Sequence, residues 1–145
     1  MAFNGNFMCT SFKVELMRAV HNFTTGTGST FKLALYDNTP SFNASTTAYT
    51  SVGEVPNSGT YAAGGGTLTN VTPFGAGTTA ITDFVDLSFT SATITAYGAM
   101  IYNDSALGNP AVCILDFGGA KASTNGTFTI VFPPDDQTNA LIRLV

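Results

Sequence analysis

The sequence predicts a mainly β protein, an antiparallel β-sandwich or barrel of about seven or eight strands with one N-terminal α-helix. From residue 30 onward, apolar and polar residues alternate with the period of two that is typical of half-buried strands. Clusters of Gly, Asn, Asp and Pro separate these stretches, as expected of turns. The chain is 44% hydrophobic but only 10% charged, and Thr, Ser, Asn and Gly dominate its polar part. This composition suits strands and turns.

The helix is predicted over residues 11–23, between an N-terminal arm at 1–10 and the strands. One apolar stripe at helical spacing carries this prediction: Phe12, Leu16, Val20 and Phe23. His21 lies near the predicted C-terminal end, and we interpret it as a surface or capping side chain. Residues 11–145 are expected to form a single β-rich domain.

The strands are predicted from alternation and from the turns that bound them: 31–36, 67–72, 79–89, 92–102, 111–117, 127–132 and 140–145. Residues 118–126, rich in Gly, are expected to be a loop. The long segment 41–66 has little periodicity and is predicted to be a binding or packing loop, with a short strand near its middle. We hypothesise that this segment becomes ordered only on assembly.

Groups that carry chemistry are scarce, with one His, two Cys and no Trp. Cys9 and Cys113 fit neither a disulfide framework nor zinc-ligand spacing, and two free, partly buried thiols are expected. Asp83, Asp86 and Asp116 fall in predicted strands, where solvated positions or caps on turns are favoured over a catalytic pair. We therefore expect no catalytic residue, no metal and no cofactor.

The net charge and the lengths of the apolar runs exclude two classes of partner, nucleic acid and membrane. The net charge is −4 with five Lys and Arg, so no basic surface for nucleic acid is expected. No apolar run is long enough to suggest a membrane helix, and the first residues do not resemble a secretory signal. We therefore expect the protein to be made in a cytoplasm and not to associate with a membrane.

Three side chains of the arm are candidates for a subunit interface. Phe3, Phe7 and Met8 are apolar, and a free N-terminus usually frays unless something holds it. They are expected to insert either under their own subunit or under a neighbour. The low charge leaves few groups that oppose self-association, so a homo-oligomer with a partner-covered surface is expected.

Five tyrosines admit two interpretations: Tyr36, Tyr49, Tyr61, Tyr97 and Tyr102. Packing in the core or between subunits is favoured, because Tyr buries a large area and keeps a polar group. Stacking on sugar rings is the alternative, and it requires several of these rings to face solvent together.

A group of small virion structural proteins of tailed bacteriophages resembles this chain over most of residues 11–132. The resemblance is carried by FKLALY at 31–36, YTSVGEV at 49–55, GTYAAGGGTLTNV at 59–71, ITAYGAMIY at 94–102, LDFGG at 115–119 and FTI at 128–130. It implies a non-enzymatic part of a virion, located in the particle and made in the host cytoplasm. Its partners would be the major capsid protein or tail proteins.

Within that resemblance the leading expectation is a capsid decoration (cement) protein that stabilises the head lattice. A tail, collar or fibre-associated subunit is the close alternative. A carbohydrate or host-receptor binding module is a second, and a small hydrolase that uses strand carboxylates is the least favoured class.

Overall fold

The computed structural model describes residues 3–145 and confirms the predicted class: a mainly β protein of two antiparallel sheets with one short helix. The elements in chain order are β1 Phe7–Met8, α1 Thr10–Met17, β2 Phe31–Tyr36, β3 Gly66–Thr67, β4 Asn70–Ala76, β5 Thr79–Phe84, β6 Leu87–Asn103, β7 Ala111–Ile130 and β8 Ile142–Leu144. No helix in this part of the chain is long and apolar enough to cross a bilayer.

Both sheets contribute to one apolar core. The larger sheet has the strand order β1-β7-β6-β2-β3, and the smaller one has the order β4-β5-β8. Phe84 of β5 joins them, since its ring centroid lies 5.6 Å from that of Phe31 in β2 and 5.7 Å from that of Phe132. Burial of these aromatic side chains supplies much of the hydrophobic stabilisation of a domain this size.

The helix is shorter than predicted, because it ends at Met17 rather than at residue 23. Ala19 has a φ of 58°, a left-handed conformation that cannot continue a right-handed helix. Val20 is consequently 37% exposed, although the stripe placed it in the core. Phe23 reaches the core from a segment without regular secondary structure, and its ring stacks on that of Phe31 at 4.5 Å between centroids. The apolar spacing predicted the buried residues better than the conformation that buries them.

Two strand predictions were wrong in opposite senses. The predicted strand at 79–89 is broken at Val85 and Asp86, which separate β5 from β6. The predicted loop at 118–126 is instead part of β7, which runs without interruption for 20 residues. Alternation alone could not distinguish a chain reversal from a continuous strand here, and Gly residues in strands mark bulges as well as turns.

β7 is sharply bent at its glycines. Gly118 and Gly119 have φ values of 73° and 137°, and the pairing with β6 shifts between Gly98↔Asp116 and Ala96↔Lys121. The rings of Phe117 and Phe128 lie 6.4 Å apart. Eleven residues of straight strand would separate them by about 36 Å. The bulge therefore folds the second half of the strand back towards the first.

The segment 41–66 is irregular, as predicted, but it is packed against the larger sheet. Phe42, Val55 and Tyr61 are buried in the core. The short strand expected in its middle is reduced to isolated bridges, one of which pairs Glu54 with Tyr36 of β2. This packing within one chain runs against the hypothesis that the segment becomes ordered only on assembly.

Candidate functional site: the arm groove and the Glu54 cluster

The N-terminal arm is anchored on its own chain. Phe3 is only 3% exposed, and its ring lies 5.7 Å from that of Phe42. It also lies over Gly98, where an added Cβ would overlap both the ring and the Leu115 carbonyl oxygen. The absence of a side chain at residue 98 therefore creates the space that Phe3 fills.

Asp116 fixes the arm behind Phe3. Its Oδ2 accepts a hydrogen bond from the Gly5 N–H at 2.8 Å, and its own N–H donates to Asn6 Oδ1 at 2.6 Å. The Gly118 N–H donates to Oδ1 of the same carboxylate at 2.8 Å. The bonds from Gly5 and Gly118 stabilise the charged form and lower the pKa of Asp116.

The other two interface candidates form β1. Phe7 lies opposite Ile114 and Met8 opposite Cys113, in antiparallel register with β7. Both side chains are half-buried. The three candidates therefore separate: Phe3 is inserted under its own subunit, whereas Phe7 and Met8 border open space.

That open space is a groove of about 820 Å³, here called the arm groove. It is bordered by the arm, by β7 and by the C-terminal segment, through Asn6, Phe7, Met8, Cys113, Ile114, Leu115, Asp116, Phe117, Ile130, Val131, Phe132, Pro133, Pro134, Asn139, Ala140, Leu141 and Arg143. A second concavity of about 410 Å³ continues it along the bend of β7, with Phe117, Ile130 and Val131 in both walls and Lys121 beyond them. The lining is mostly apolar, and Val131 is 73% exposed.

β7 has one largely unpaired edge beside this groove. In the larger sheet β6 pairs with one side of β7, while on the other side β1 pairs only with Cys113 and Ile114. No strand of residues 3–145 pairs with the remainder of that side. Val112 and Asp116 are also bonded to the arm on this side, so the backbone N–H and C=O groups available to an extended chain are those beyond Asp116.

Asp83 in β5 and Asp86 in the break between β5 and β6 both accept backbone hydrogen bonds, which agrees with the predicted capping role. Asp83 Oδ1 accepts from the Phe84 N–H at 2.8 Å, and Oδ2 accepts from the Leu141 N–H at 3.0 Å. Asp86 Oδ1 accepts from the Phe132 N–H at 2.8 Å. Asp83 is buried rather than solvated, and this burial raises its pKa. Both residues hold the chain around the C-terminal segment.

His21 was wrongly interpreted as a surface or capping side chain, because it is buried. Its Nε2 lies 2.7 Å from Glu15 Oε2, and its Nδ1 lies 3.1 Å from Asn103 Nδ2. The N–H and hydroxyl of Ser105 both donate to Asn103 Oδ1, so the Asn103 amide nitrogen must face the histidine and donate to Nδ1. His21 Nε2 then carries the proton and donates to Glu15. The histidine links the turn after α1 to the end of β6.

The two cysteines are free, as expected, and both are buried. Burial raises the pKa of Cys9 to about 11 and shifts that of Cys113 in the same direction. Thiols in this state are poor nucleophiles at neutral pH. Among residues 3–145, no group of three or more His, Cys, Asp or Glu side chains is placed to hold a metal ion.

A polar cluster that sequence reasoning missed surrounds Glu54, here called the Glu54 cluster. Glu54 Oε2 accepts from the Tyr49 hydroxyl at 2.6 Å, and Oε1 accepts from the Tyr61 hydroxyl and the Gly64 N–H, each at 2.7 Å. The Tyr102 hydroxyl donates to the Gly64 carbonyl at 2.5 Å. One carboxylate therefore joins three points of the segment 41–66, and Tyr102 ties them to β6.

The tyrosine hydroxyls extend this cluster into the sheet. The Tyr61 oxygen accepts from the Leu35 N–H at 2.9 Å, and the Tyr36 hydroxyl donates to the Thr50 carbonyl at 2.6 Å. Burial, followed by smaller effects that include the Glu54 charge, raises the pKa of Tyr36, Tyr49 and Tyr61. Burial and the charges of Asp104 and Glu54 raise the pKa of Tyr102 to about 12. Four of the five tyrosines are thus bound inside the chain.

Compared with known protein families, characterised proteins and solved structures, the chain gives no significant match.

Proposed function

We propose that this chain is a non-enzymatic structural protein of a tailed-phage virion, a decoration protein that binds the head lattice and stabilises it. The observation that carries the proposal is the arm groove: apolar side chains, including Phe7 and Met8, border a wide groove beside an unpaired strand edge. Such a surface suits a neighbouring protein better than a small polar substrate.

The placement of the ionisable side chains supports a structural role. Asp83, Asp86, Asp116, Glu54 and His21 each hold backbone or side-chain groups of the same chain. Asp83 and Asp86 line one small concavity together with Asp135, but both carboxylates accept backbone N–H groups and so position the chain. The sequence resemblance to small virion proteins points in the same direction.

Stabilisation of a lattice would come from the sum of many copies. Each copy that bridges neighbouring capsid subunits removes apolar area from water, at about 25 cal/mol per Å² before the costs of association. A mostly uncharged surface lowers the desolvation cost of such contacts. Partners would be other virion proteins, and a homo-oligomer fits the same arrangement.

Cosedimentation tests the proposal. The purified protein is spun with DNA-filled heads of the phage that encodes it and, separately, with isolated tails. Saturable binding to heads alone is expected. Binding to tails alone would assign the chain to the tail, collar or fibre instead, and binding to neither would overturn a virion role.

The carbohydrate-binding alternative depends on a platform of solvent-facing tyrosines. Tyr36, Tyr61 and Tyr102 are at most 2% exposed, and the Tyr49 hydroxyl is bound to Glu54. These four rings therefore do not offer the stacking surface that the alternative requires.

A further inference from the structure

We propose that the arm groove binds an extended, acidic and apolar peptide segment of a partner protein, which adds as a strand to the free edge of β7. The inference concerns the occupant of the groove and does not depend on a virion role. Its evidence is the strand edge, the shape of the groove and the distribution of positive charge.

The chain itself shows that this edge of β7 accepts a strand. β1 pairs with it in antiparallel register through Phe7↔Ile114 and Met8↔Cys113. Beyond Gly5, which has a φ of 87°, the arm leaves the edge and enters the Phe3 pocket. β7 continues to Ile130 without a second strand on that side within the described residues. An added segment would pair with the part of this edge that lies beyond the glycine bulge, from Lys121 onward.

The groove can accommodate alternate side chains of an added strand. Successive residues of a strand point to opposite faces, so every second side chain would face the groove and the next would face solvent. The groove offers Phe117, Leu141 and Val131 to apolar side chains. An alternating segment of apolar and small polar residues matches this arrangement.

The charge of the groove favours an acidic occupant. The protein carries nine acidic and five basic residues, yet Lys121 and Arg143 both line the continuous concavity. Neither forms a salt bridge in residues 3–145, where the ion pair made by a Lys or Arg side chain is Lys32–Asp104. Arg143 makes one long hydrogen bond, 3.5 Å to the Gln137 carbonyl. Its guanidinium therefore keeps donors for a carboxylate.

Two carboxylates lie at or near the groove: Asp116 lines it, and Asp136 interacts with Arg143. Both oxygens of Asp116 accept backbone N–H groups. Asp136 accepts from Asn139 and Thr138, and these bonds, with a smaller contribution from Arg143, lower its pKa. Asp116 and Asp136 keep their negative charges, but their oxygens are held by these donors, so the N–H groups of Lys121 and Arg143 remain available to an incoming carboxylate.

The test is a binding titration with a fluorescein-labelled decapeptide of alternating Val and Thr in which two Thr are replaced by Asp. Saturable binding to the intact protein is expected. Val131→Asp should weaken it by about tenfold or more, because it places a carboxylate in the wall of the groove. Val52→Asp is the matched control, since Val52 is a comparably exposed valine, 62% against 73%, that does not line the arm groove. It should leave the affinity unchanged.

The charge and backbone components are tested separately. The double variant Lys121→Gln with Arg143→Gln should lose the preference for the Asp peptide over its Asn counterpart. Lys13→Gln with Arg18→Gln, which removes equal charge near α1, should keep that preference. A peptide with alternate backbone nitrogens methylated on the pairing edge should not bind.

Four results would overturn the proposal: no saturable binding by the intact protein, equal loss in the matched controls, full binding of the methylated peptide, or equal binding of the Asn peptide. Sedimentation velocity addresses the remaining occupant. A dimer that Val131→Asp dissociates, without peptide binding, would identify a second copy of this chain in the groove instead.

Discussion

The Glu54 cluster and the arm groove use their polar groups in contrasting ways. In the cluster, one carboxylate accepts three hydrogen bonds, and every donor around it comes from the same chain. In the groove, Lys121 and Arg143 form no salt bridge with any residue from 3 to 145, and one edge of β7 is largely unpaired within the same range. In the Glu54 cluster the polar groups satisfy one another's hydrogen bonds and hold the segment 41–66 in place. In the arm groove the unpaired groups can bind a partner molecule.

The comparison separates residues that stabilise the fold from residues that are available for contact. The N-terminal arm belongs to both groups, since Phe3 is buried while Phe7 and Met8 border the groove. Substitutions on the two sides should therefore differ in kind: one set should lower the free energy of unfolding, and the other should change binding alone.

Phe3→Ala should have the largest effect on stability. It empties the space between Gly98 and Phe42, and loss of a buried Phe side chain costs about 3 kcal/mol or more. Urea denaturation measures the change. Phe7→Ala, at a half-buried position, should cost about 1 kcal/mol. If Phe3→Ala unfolds like the wild type, the arm is not part of the fold and its contacts lie in a neighbour.

Glu54→Ala should rank second. It leaves the hydroxyls of Tyr49 and Tyr61 and the N–H of Gly64 without their acceptor, and we expect a loss of about 3 kcal/mol. Hydrogen exchange should also show faster exchange of the Gly64 amide. Glu54→Gln retains one acceptor oxygen and should lose about 1 kcal/mol. Asp135→Ala, at an exposed position, is the control and should change stability by no more than about 0.5 kcal/mol.

Equal stability of the Ala, Gln and wild-type proteins would show that the Glu54 cluster does not hold the segment 41–66. The hypothesis of ordering on assembly would then regain support. Slow exchange of Val55 and Tyr61 amides in the isolated wild-type protein would exclude it.

The same cluster predicts a loss of stability in alkali. An unfolded tyrosine releases its proton near pH 10, whereas burial holds the pKa of Tyr102 at about 12 and raises those of Tyr36, Tyr49 and Tyr61. Above about pH 10 the folded state therefore binds more protons than the unfolded one, so stability falls as the pH rises. Below about pH 10 this contribution is fully present.

Urea denaturation at a series of alkaline pH values, with the ultraviolet absorbance of tyrosinate, checks this prediction. Glu54→Gln removes a negative charge beside the tyrosines and should move the onset of tyrosinate absorbance to lower pH. Release of all tyrosine protons in a single step near pH 10 by the folded protein would contradict it.

Local features of the fold could be predicted from sequence, and features that depend on distant partners could not. The strand at 31–36 matches β2, because alternation reports directly which face of a strand is buried. The predicted helix was too long, because the spacing of apolar residues does not show whether residues 20–23 are helical. β7 was divided because the glycines of its bulge look like a turn.

The candidate site shows the same limit. Phe3, Phe7 and Met8 could be selected because apolar residues in an arm are conspicuous, but the sequence did not indicate that Gly98 makes room for only one of them. The role of Glu54 was missed and that of His21 was misinterpreted. Their hydrogen-bond partners, Tyr49 for Glu54 and Asn103 for His21, can be recognised only in the folded chain. Hydrogen-bond partners between separate segments have no periodic signal.

The smallest expected effect on stability is in the arm groove. Lys121→Gln with Arg143→Gln, and Val131→Asp separately, should each change the free energy of unfolding by no more than about 0.5 kcal/mol, because substitutions of exposed side chains usually change stability little. Urea denaturation checks this beside the Glu54 variants. If these variants lost as much unfolding free energy as Glu54→Ala, the groove side chains would stabilise the fold. The contrast between the Glu54 cluster and the arm groove would then fail. Unchanged stability together with weakened peptide binding would assign these side chains to contact, since a folding defect would alter both measurements.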